Sequence, residues 1–226
     1  MKRFAAVLGF AAIIGVALVS FWQTGAEAGT AAFHARFEGA SKMGDSGAYT
    51  FDKNHSAIGF RVRHMGLVDV PGYFRDFTGT VNFDAKDVTK STVEFTAKAT
   101  SVDTGVAPRD NHLRSKDFFE VEKFADITFK STKVEKKGKG YVLTGDFTMK
   151  GVTKSIAFPF EISGWLPPGE RDGGKMGITA ETTINRRDFG VNYGTNLPSG
   201  IPSLSDEVKI TLLIEAVKKK DAPKAD

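Results

Sequence analysis

From Tyr49 onward, apolar and polar side chains alternate with a period of two. Ile58, Phe60 and Val62 are spaced by Gly59, Arg61 and Arg63, and the same parity carries His64 to the inward side. Phe77, Val81 and Phe83 share one face with Gly79, and Phe95 follows between Val93 and Ala97. In the second half Phe129 pairs in parity with Ile127, then Phe147 and Met149 with Leu143 and Gly145, then Phe158 and Phe160 with Ile156 and Ile162. Ile178, Ala180, Thr182 and Ile184 form one row, which continues to Arg186, and Val208, Ile210, Leu212 and Ile214 form the last. Eight or more strands with one apolar face each is the pattern of antiparallel sheet. Lys136–Gly140 and Lys150–Thr153 have hairpin chemistry, and Pro167-Pro168-Gly169 through Gly174 opens a longer loop.

One segment breaks the period. Pro108 to Phe119 offers Asp110 or Asn111 as an N-cap and places Leu113, Phe118 and Phe119 roughly on one side. A short helix across one end of the sheet is expected there.

The N-terminus follows a different rule. Lys2 and Arg3 precede an almost wholly apolar run from Phe4 to Trp22, and Ala26-Glu27-Ala28 is a small-x-small site. That is the layout of a cleaved secretory signal peptide over residues 1–28, with export to the periplasm. The run is also long enough to span a bilayer, so an uncleaved anchor is the alternative. Residues 29–48, rich in Gly, Ala and Ser, read as a linker; 49–217 as one barrel domain; 218–226 as a polar tail. After cleavage no integral membrane span is expected.

Composition narrows the function. The chain has no cysteine, so neither a disulfide framework nor a thiolate metal site is available. Cleavage leaves 198 of the 226 residues, enough for one core, and loss of Lys2, Arg3 and Glu27 lowers the formal charge from +4 to +3. The basic residues are scattered apart from Lys218-Lys219-Lys220, so nucleic acid is not an expected partner. Phe is abundant at 19, against 4 Tyr and 2 Trp. An outer-membrane barrel would carry Tyr and Trp girdles and put its apolar face to lipid. Mid-strand Phe and a charged C-terminal tail point instead to an apolar interior.

Motifs for chemistry are weak. Asp188-Phe189-Gly190 lacks the accompanying kinase loops, and Gly169 to Lys175 has P-loop spacing but is followed by Met176 and by a strand. His55, His64 and His112 could form a three-histidine metal site, but His55 and His64 fall on opposite parities, so none is expected. His55 and His112 are read as holding turns through backbone hydrogen bonds. No nucleophile motif is present, and no cofactor is expected. Arg109, Arg186 and Arg187 lie in dense polar sets. They form internal salt bridges with Asp110 and Asp188, or they read an anionic headgroup at a barrel mouth, for which a guanidinium fork is suited.

Several motifs in order resemble the YceI-like family. They are Tyr49-Thr50-Phe51-Asp52 with His55-Ser56 and His64; Gly72-Tyr73-Phe74; Ser101-Val102-Asp103-Thr104; Arg109 through Phe119; Gly151-Val152-Thr153-Lys154; and Asn185 through Gly190. Phe124-Ala125 replaces the common Tyr-Pro, a mild departure. The resemblance implies an all-β, antiparallel, lipocalin-like β-barrel of about eight strands with a short helix covering one end. It further implies an elongated cavity for a polyisoprenoid, quinone-type or other long-chain lipid, no catalytic activity, and the occurrence of homodimers.

The expected ligand contacts are Phe60, Val62, His64, Phe77, Val81, Phe83, Phe95, Phe129, Phe147, Met149, Phe158, Phe160 and Ile184, with Leu113 and Phe119 from the helical segment and Arg186 at the mouth. Small residues among the inward Phe positions (Gly79, Ala97, Ala99, Gly145, Ala180) are expected to leave room for a chain. Two other readings stand beside a carrier. One is an enzyme acting on such lipids through the polar mouth residues. The other is a stress-responsive interaction protein whose core is filled.

Overall fold

The computed structural model describes residues 44–138, 140–171 and 173–218. The expected signal peptide, most of the linker and tail residues 219–226 lie outside them. Eleven strand segments follow one another: β1 (Gly47–Phe51), β2 (Ala57–His64), β3 (Val68–Phe74), β4 (Phe77–Phe83), β5 (Thr92–Lys98), β6 (Val102–Asp103), β7 (Asp126–Lys137), β8 (Gly140–Met149), β9 (Val152–Leu166), β10 (Lys175–Asn185) and β11 (Leu204–Lys218). One α-helix, α1 (Ala107–Arg114), lies between β6 and β7. The linker therefore gives way to sheet at Gly47, two residues before the expected boundary, and Lys218 ends a strand instead of starting a tail.

The eleven segments make eight staves. β11 pairs with β2 over Leu204–Leu213 and with β1 over Ala216–Lys218, so β1 and β2 are one strand interrupted at 52–56. Likewise β4 pairs with β1 and β3 with β2, leaving a break at Arg75-Asp76. β5 pairs with β4 and β6 with β3, leaving a break at 99–101. From β5 the antiparallel order runs β7, β8, β9, β10, β11, and the β11–β1 pairing closes the barrel. The breaks adjoin, forming a seam across three staves. Side chains stitch it: Lys53 Nζ meets Asp76 Oδ1 at 2.6 Å, and Ser56 Oγ donates to the Glu215 carbonyl at 3.1 Å.

Turn chemistry follows the sequence. Lys150 (φ 50°) and Gly151 (φ 74°) are both left-handed, which a two-residue hairpin between Met149 and Val152 requires. β3 was not visible in the pattern because Pro71 interrupts it. Proline is tolerated since β3 is paired on its second side only at Tyr73 and Phe74, leaving no ladder beside Pro71. The helix differs from expectation at its start. Its N-cap is Val106, with Pro108 in the first turn, and Asp110 lies inside the helix. Asp110 Oδ1 instead accepts from Thr104 N (2.9 Å) and Thr104 Oγ1 (2.5 Å), tying the helix to the end of β6.

Candidate functional site

Alternation aims each row of Phe, Ile and Val into the barrel, and the two ends then diverge. At the end holding β1 and the β7–β8 hairpin, Tyr49, Phe83 and Trp165 close the interior. The Phe83 and Trp165 rings are 4.6 Å apart and those of Tyr49 and Trp165 6.0 Å. Burial, and then the negative charge of the Asp45 carboxylate, raise the Tyr49 hydroxyl above its ordinary range; that hydroxyl donates to the Asp45 backbone carbonyl at 2.8 Å. A cavity of about 60 Å³ is the space left among the residues there.

At the opposite end a cavity of about 760 Å³ is lined by residues from β2, β3, β5, β7–β11 and α1. Its mouth is bounded by the β2–β3 hairpin (His64, Met65), the helix and the residues leading into it (Thr104, Arg109, His112) and the loop after β10 (Tyr193, Gly194, Thr195). Leu113, Phe118 and Phe119, from the helical segment, form part of its wall.

Of the residues expected to face a ligand, twelve line this cavity. They are Phe60, Val62 and His64 on β2; Phe95; Leu113 and Phe119; Phe129; Phe147 and Met149; Phe158; and Ile184 and Arg186. Val81, Phe83 and Phe160 face the small space at the packed end, and Phe77 is buried without lining either. All four lie inside, as their parity implied; depth along the barrel puts Val81, Phe83 and Phe160 below the cavity floor, whereas Phe77 pairs with Ala97 at the level of the cavity and is packed behind its wall.

Other wall residues were not expected: Ile58, Phe74, Phe118, Ile156, Thr182, Val191 and Tyr193 among them. Ile58, Ile156 and Thr182 carried the parity signal. Tyr193 lies in a segment whose signal was a lack of charge, since no charged residue stands between Asp188 and Asp206.

The small inward residues do not supply the room. A Cβ on Gly79 would stand 2.3 Å from the Phe51 ring, and one on Gly145 would stand 2.5 Å from that of Phe129. These glycines are seats for aromatic rings. Ala99 is buried away from both spaces and Ala180 faces the small one; Ala97 does line the large cavity.

The arginines resolve differently from one another. Arg186, 4% exposed, donates from Nε to Ser205 O (2.9 Å) and from Nη1 to Val191 O and Tyr193 O (2.7 Å each). Its Nη2 reaches Asp206 Oδ1 at 3.2 Å. The fork is thus committed to pinning the loop after β10 against β11. Burial, then the neighbouring charge of Arg187, lower its pKa from the ordinary value, and Asp206 raises it. Arg187 Nε also donates to Asp206 Oδ1, at 2.5 Å, so both pair with Asp206 and not with Asp188. Asp188 lies 3.6 Å from Lys154. Arg109 does not pair with Asp110 either. It bonds to Thr104 Oγ1 (2.7 Å) and Thr104 O (2.8 Å), is exposed at the mouth, and has no carboxylate partner among the described residues.

The histidines hold turns through carboxylates and not through backbone. His112 Nε2 lies 3.0 Å from Asp117 Oδ2, and its ring packs edge-on against Phe118 and Tyr193. His55 Nδ1 lies 2.8 Å from Asp52 Oδ2 and 4.0 Å from Glu215 Oε1, in the seam. Asp52, His55 and Glu215 are close enough to share a metal ion, but the Lys175 ammonium already stands 2.9 Å from Glu215 Oε1. The hydrogen bond from His55, then that from Asn54 N–H, lower the Asp52 pKa; the bond to Asp52 and the charges of Asp52 and Glu215 raise that of His55.

A closed eight-stave antiparallel barrel with one hollow, apolar half defines a binding barrel of lipocalin-like architecture. The sequence profile of the YceI-like domain matches residues 49–216, and the chain belongs to that family. Protein YceI of Escherichia coli O157:H7 is 38% identical over 175 residues, covering 76% of this chain and 87% of that one. The crystal structure of the Campylobacter jejuni YCEI protein superposes with a TM-score of 0.59 at 31% identity, covering 70% of this chain and 90% of its own. A polyisoprenoid binding domain from Saccharophagus degradans shares the fold with a TM-score of 0.56 at 14% identity, over 75% of this chain and 98% of that domain.

Proposed function

We propose that this protein is exported, loses residues 1–28, and carries one long apolar molecule in the periplasm, of the polyisoprenoid, quinone or long-chain lipid class. The observation that carries the reading is the cavity of about 760 Å³ walled by Phe, Ile, Val, Leu and Met side chains. That volume is in the range of pockets that take up one small molecule. Each methylene withdrawn from water contributes about 0.8 kcal/mol, so ten would contribute roughly 8 kcal/mol before losses of ligand freedom. The fold shared with a polyisoprenoid binding domain supports the same ligand class. A filled core describes one half of the barrel, not the other.

Of the three arginines, Arg109 is the one in position to meet an anionic headgroup, because its guanidinium is at the mouth and bonds to Thr104 alone. The protein holds its ligand and releases it unchanged.

Protein recovered from its own periplasm should yield, on extraction with organic solvent and mass spectrometry, a lipid in near one-to-one ratio. Phe95→Asn and Phe158→Asn, each placing an amide in the cavity wall, should fold and lose that lipid. Equal lipid content in the soluble variants, or none in the wild type, would reject the carrier reading. Edman sequencing of the same material should begin at Gly29.

A further inference from the structure

Among the described residues nine large apolar side chains stand exposed, and six of them sit around the cavity mouth: Met65, Leu67, Val68, Val106, Tyr193 and Ile201. Leu67 at 78% and Val68 at 57% exposure are well beyond what a hairpin tip needs for packing. Isolated exposed apolar residues are ordinary; a ring of them around an opening marks a contact surface.

The ring is one connected platform. The Met65 N–H donates to Ser203 O at 3.0 Å, and Ile201 Cγ2 stands 3.3 Å from where a Cβ on Gly66 would be. Tyr193 packs against Phe118 with ring centroids 4.8 Å apart and the rings tilted by 41°, joining the loop to the helical segment. The loop is itself ordered by bonds from Leu197 N to Ile201 O (2.8 Å) and from Ser203 N to Thr195 O (3.0 Å). Arg186 holds it from beneath.

The charge pattern selects the partner. Residues 65–68, 104–108 and 189–205, which supply the collar, contain no charged side chain. Of the charges beside it, Arg63 lies 2.6 Å from Asp69 and Arg187 bonds Asp206, while Arg109, bonded to Thr104, is the one cation at the mouth without a carboxylate partner among the described residues. A protein partner of ordinary composition would meet polar and charged groups at a rim. A surface that enters the headgroup–acyl boundary must do the opposite, because a charge carried into lipid costs far more than an apolar residue gains. Tyr193, apolar in body and polar at its tip, suits that boundary.

We propose that the mouth collar docks on the surface of a lipid bilayer, through apolar insertion and not through charge attraction, so that the cavity opens directly onto the acyl layer. A ligand of the class that fits the cavity would then pass between membrane and barrel without crossing water. The purpose of the docking rests on the carrier reading above; its physical basis is the collar, so the two can fail separately.

The absence of cysteine makes the test direct. Leu67→Cys at the collar and Lys137→Cys at the far β7–β8 hairpin each take a single environment-sensitive dye. On adding phosphatidylcholine vesicles, emission from the collar label should shift to the blue and rise severalfold, and that from the far label should not change. The collar response should occur on phosphatidylcholine alone and persist at high salt, with a fifth of phosphatidylglycerol strengthening it only modestly through Arg109. Adding Ile201→Asp and Val68→Asp should weaken the vesicle response about tenfold or more, with the melting temperature unchanged. A collar label that ignores vesicles, or labels that respond alike at both ends, would overturn the proposal. So would binding that needs phosphatidylglycerol and vanishes in salt. A collar that is covered by a second copy would show as a dimer in sedimentation velocity that Ile201→Asp converts to monomer, with no vesicle response, and that also overturns it. Vesicle docking by a protein that yields no extracted lipid would leave the collar's role intact and remove the carrier reading.

Discussion

At the end of the barrel holding β1, the Phe83 ring lies 4.6 Å from Trp165, Gly79 seats Phe51, and about 60 Å³ is left open. At the other end, rows of the same residue types continue along the same strands around about 760 Å³. The rows do not differ in polarity. They differ in what reaches across the axis. At the packed end Tyr49, Trp165 and Met176 are drawn in, whereas glycine seats for Phe rings occur along the whole barrel, Gly79 under Phe51 and Gly72 under Phe60. At the hollow end the helical segment lies along the wall, and the loop after β10 is pulled outward and tied to β11 by Arg186. An eight-stave barrel admits both outcomes, and here one molecule shows both. The packing predicts that stability is concentrated in one half and binding in the other.

That division can be broken. Phe83→Ala should cost about 3–5 kcal/mol, because the void it leaves is enclosed. Its melting temperature should fall by at least about 6 °C at roughly 2–4 °C per kcal/mol, while lipid bound per folded molecule stays the same. Val62→Ala, facing the cavity, removes surface that is already unfilled; it should cost about 1 kcal/mol or less and alter ligand affinity. Equal thermal losses would show that the two halves are not energetically distinct.

Arg186→Met should come next, at about 2–4 kcal/mol, since three backbone carbonyls lose their donor. The loop 191–203 should become the first site of proteolysis, and neutral and anionic ligands should weaken alike. A loss confined to anionic ligands would restore headgroup reading to Arg186. Arg109→Ala should behave in the opposite way. It should weaken a prenyl diphosphate about five- to tenfold and leave the matching prenol unaffected, the difference shrinking in salt.

The smallest effect belongs to the seam. The raised His55 pKa means that its stabilisation is complete below about 6.5, the unfolded value, and is lost as pH rises through the higher folded value. The lowered Asp52 pKa means the reverse: its contribution is present above about 4 and is lost as pH falls through the folded value. The seam is therefore firmest between about pH 4 and 6.5. Melting temperature should decline slightly from pH 6 to 8.5, and His55→Gln should flatten that decline. An unchanged slope in the variant would remove His55 from the seam's energetics.

The inward residues were legible from their parity alone, as Phe60, Phe129 and Ile184 show. So were the hairpin at Lys150-Gly151 and the segment carrying Leu113 and Phe119, because these depend on neighbours within a few residues. Depth along the barrel was not legible. Phe95 and Phe83 read alike in sequence, yet one lines the cavity and the other helps to close its far end. Nor was the use of Arg186, whose acceptors lie on a loop with no periodic pattern, or the seating of Phe51 on Gly79 across two strands. A period of two fixes which way a side chain points, since it follows from the local backbone. How far up the axis it sits depends on strand register, on three strand breaks and on where loops return, and those arise only when distant segments pair.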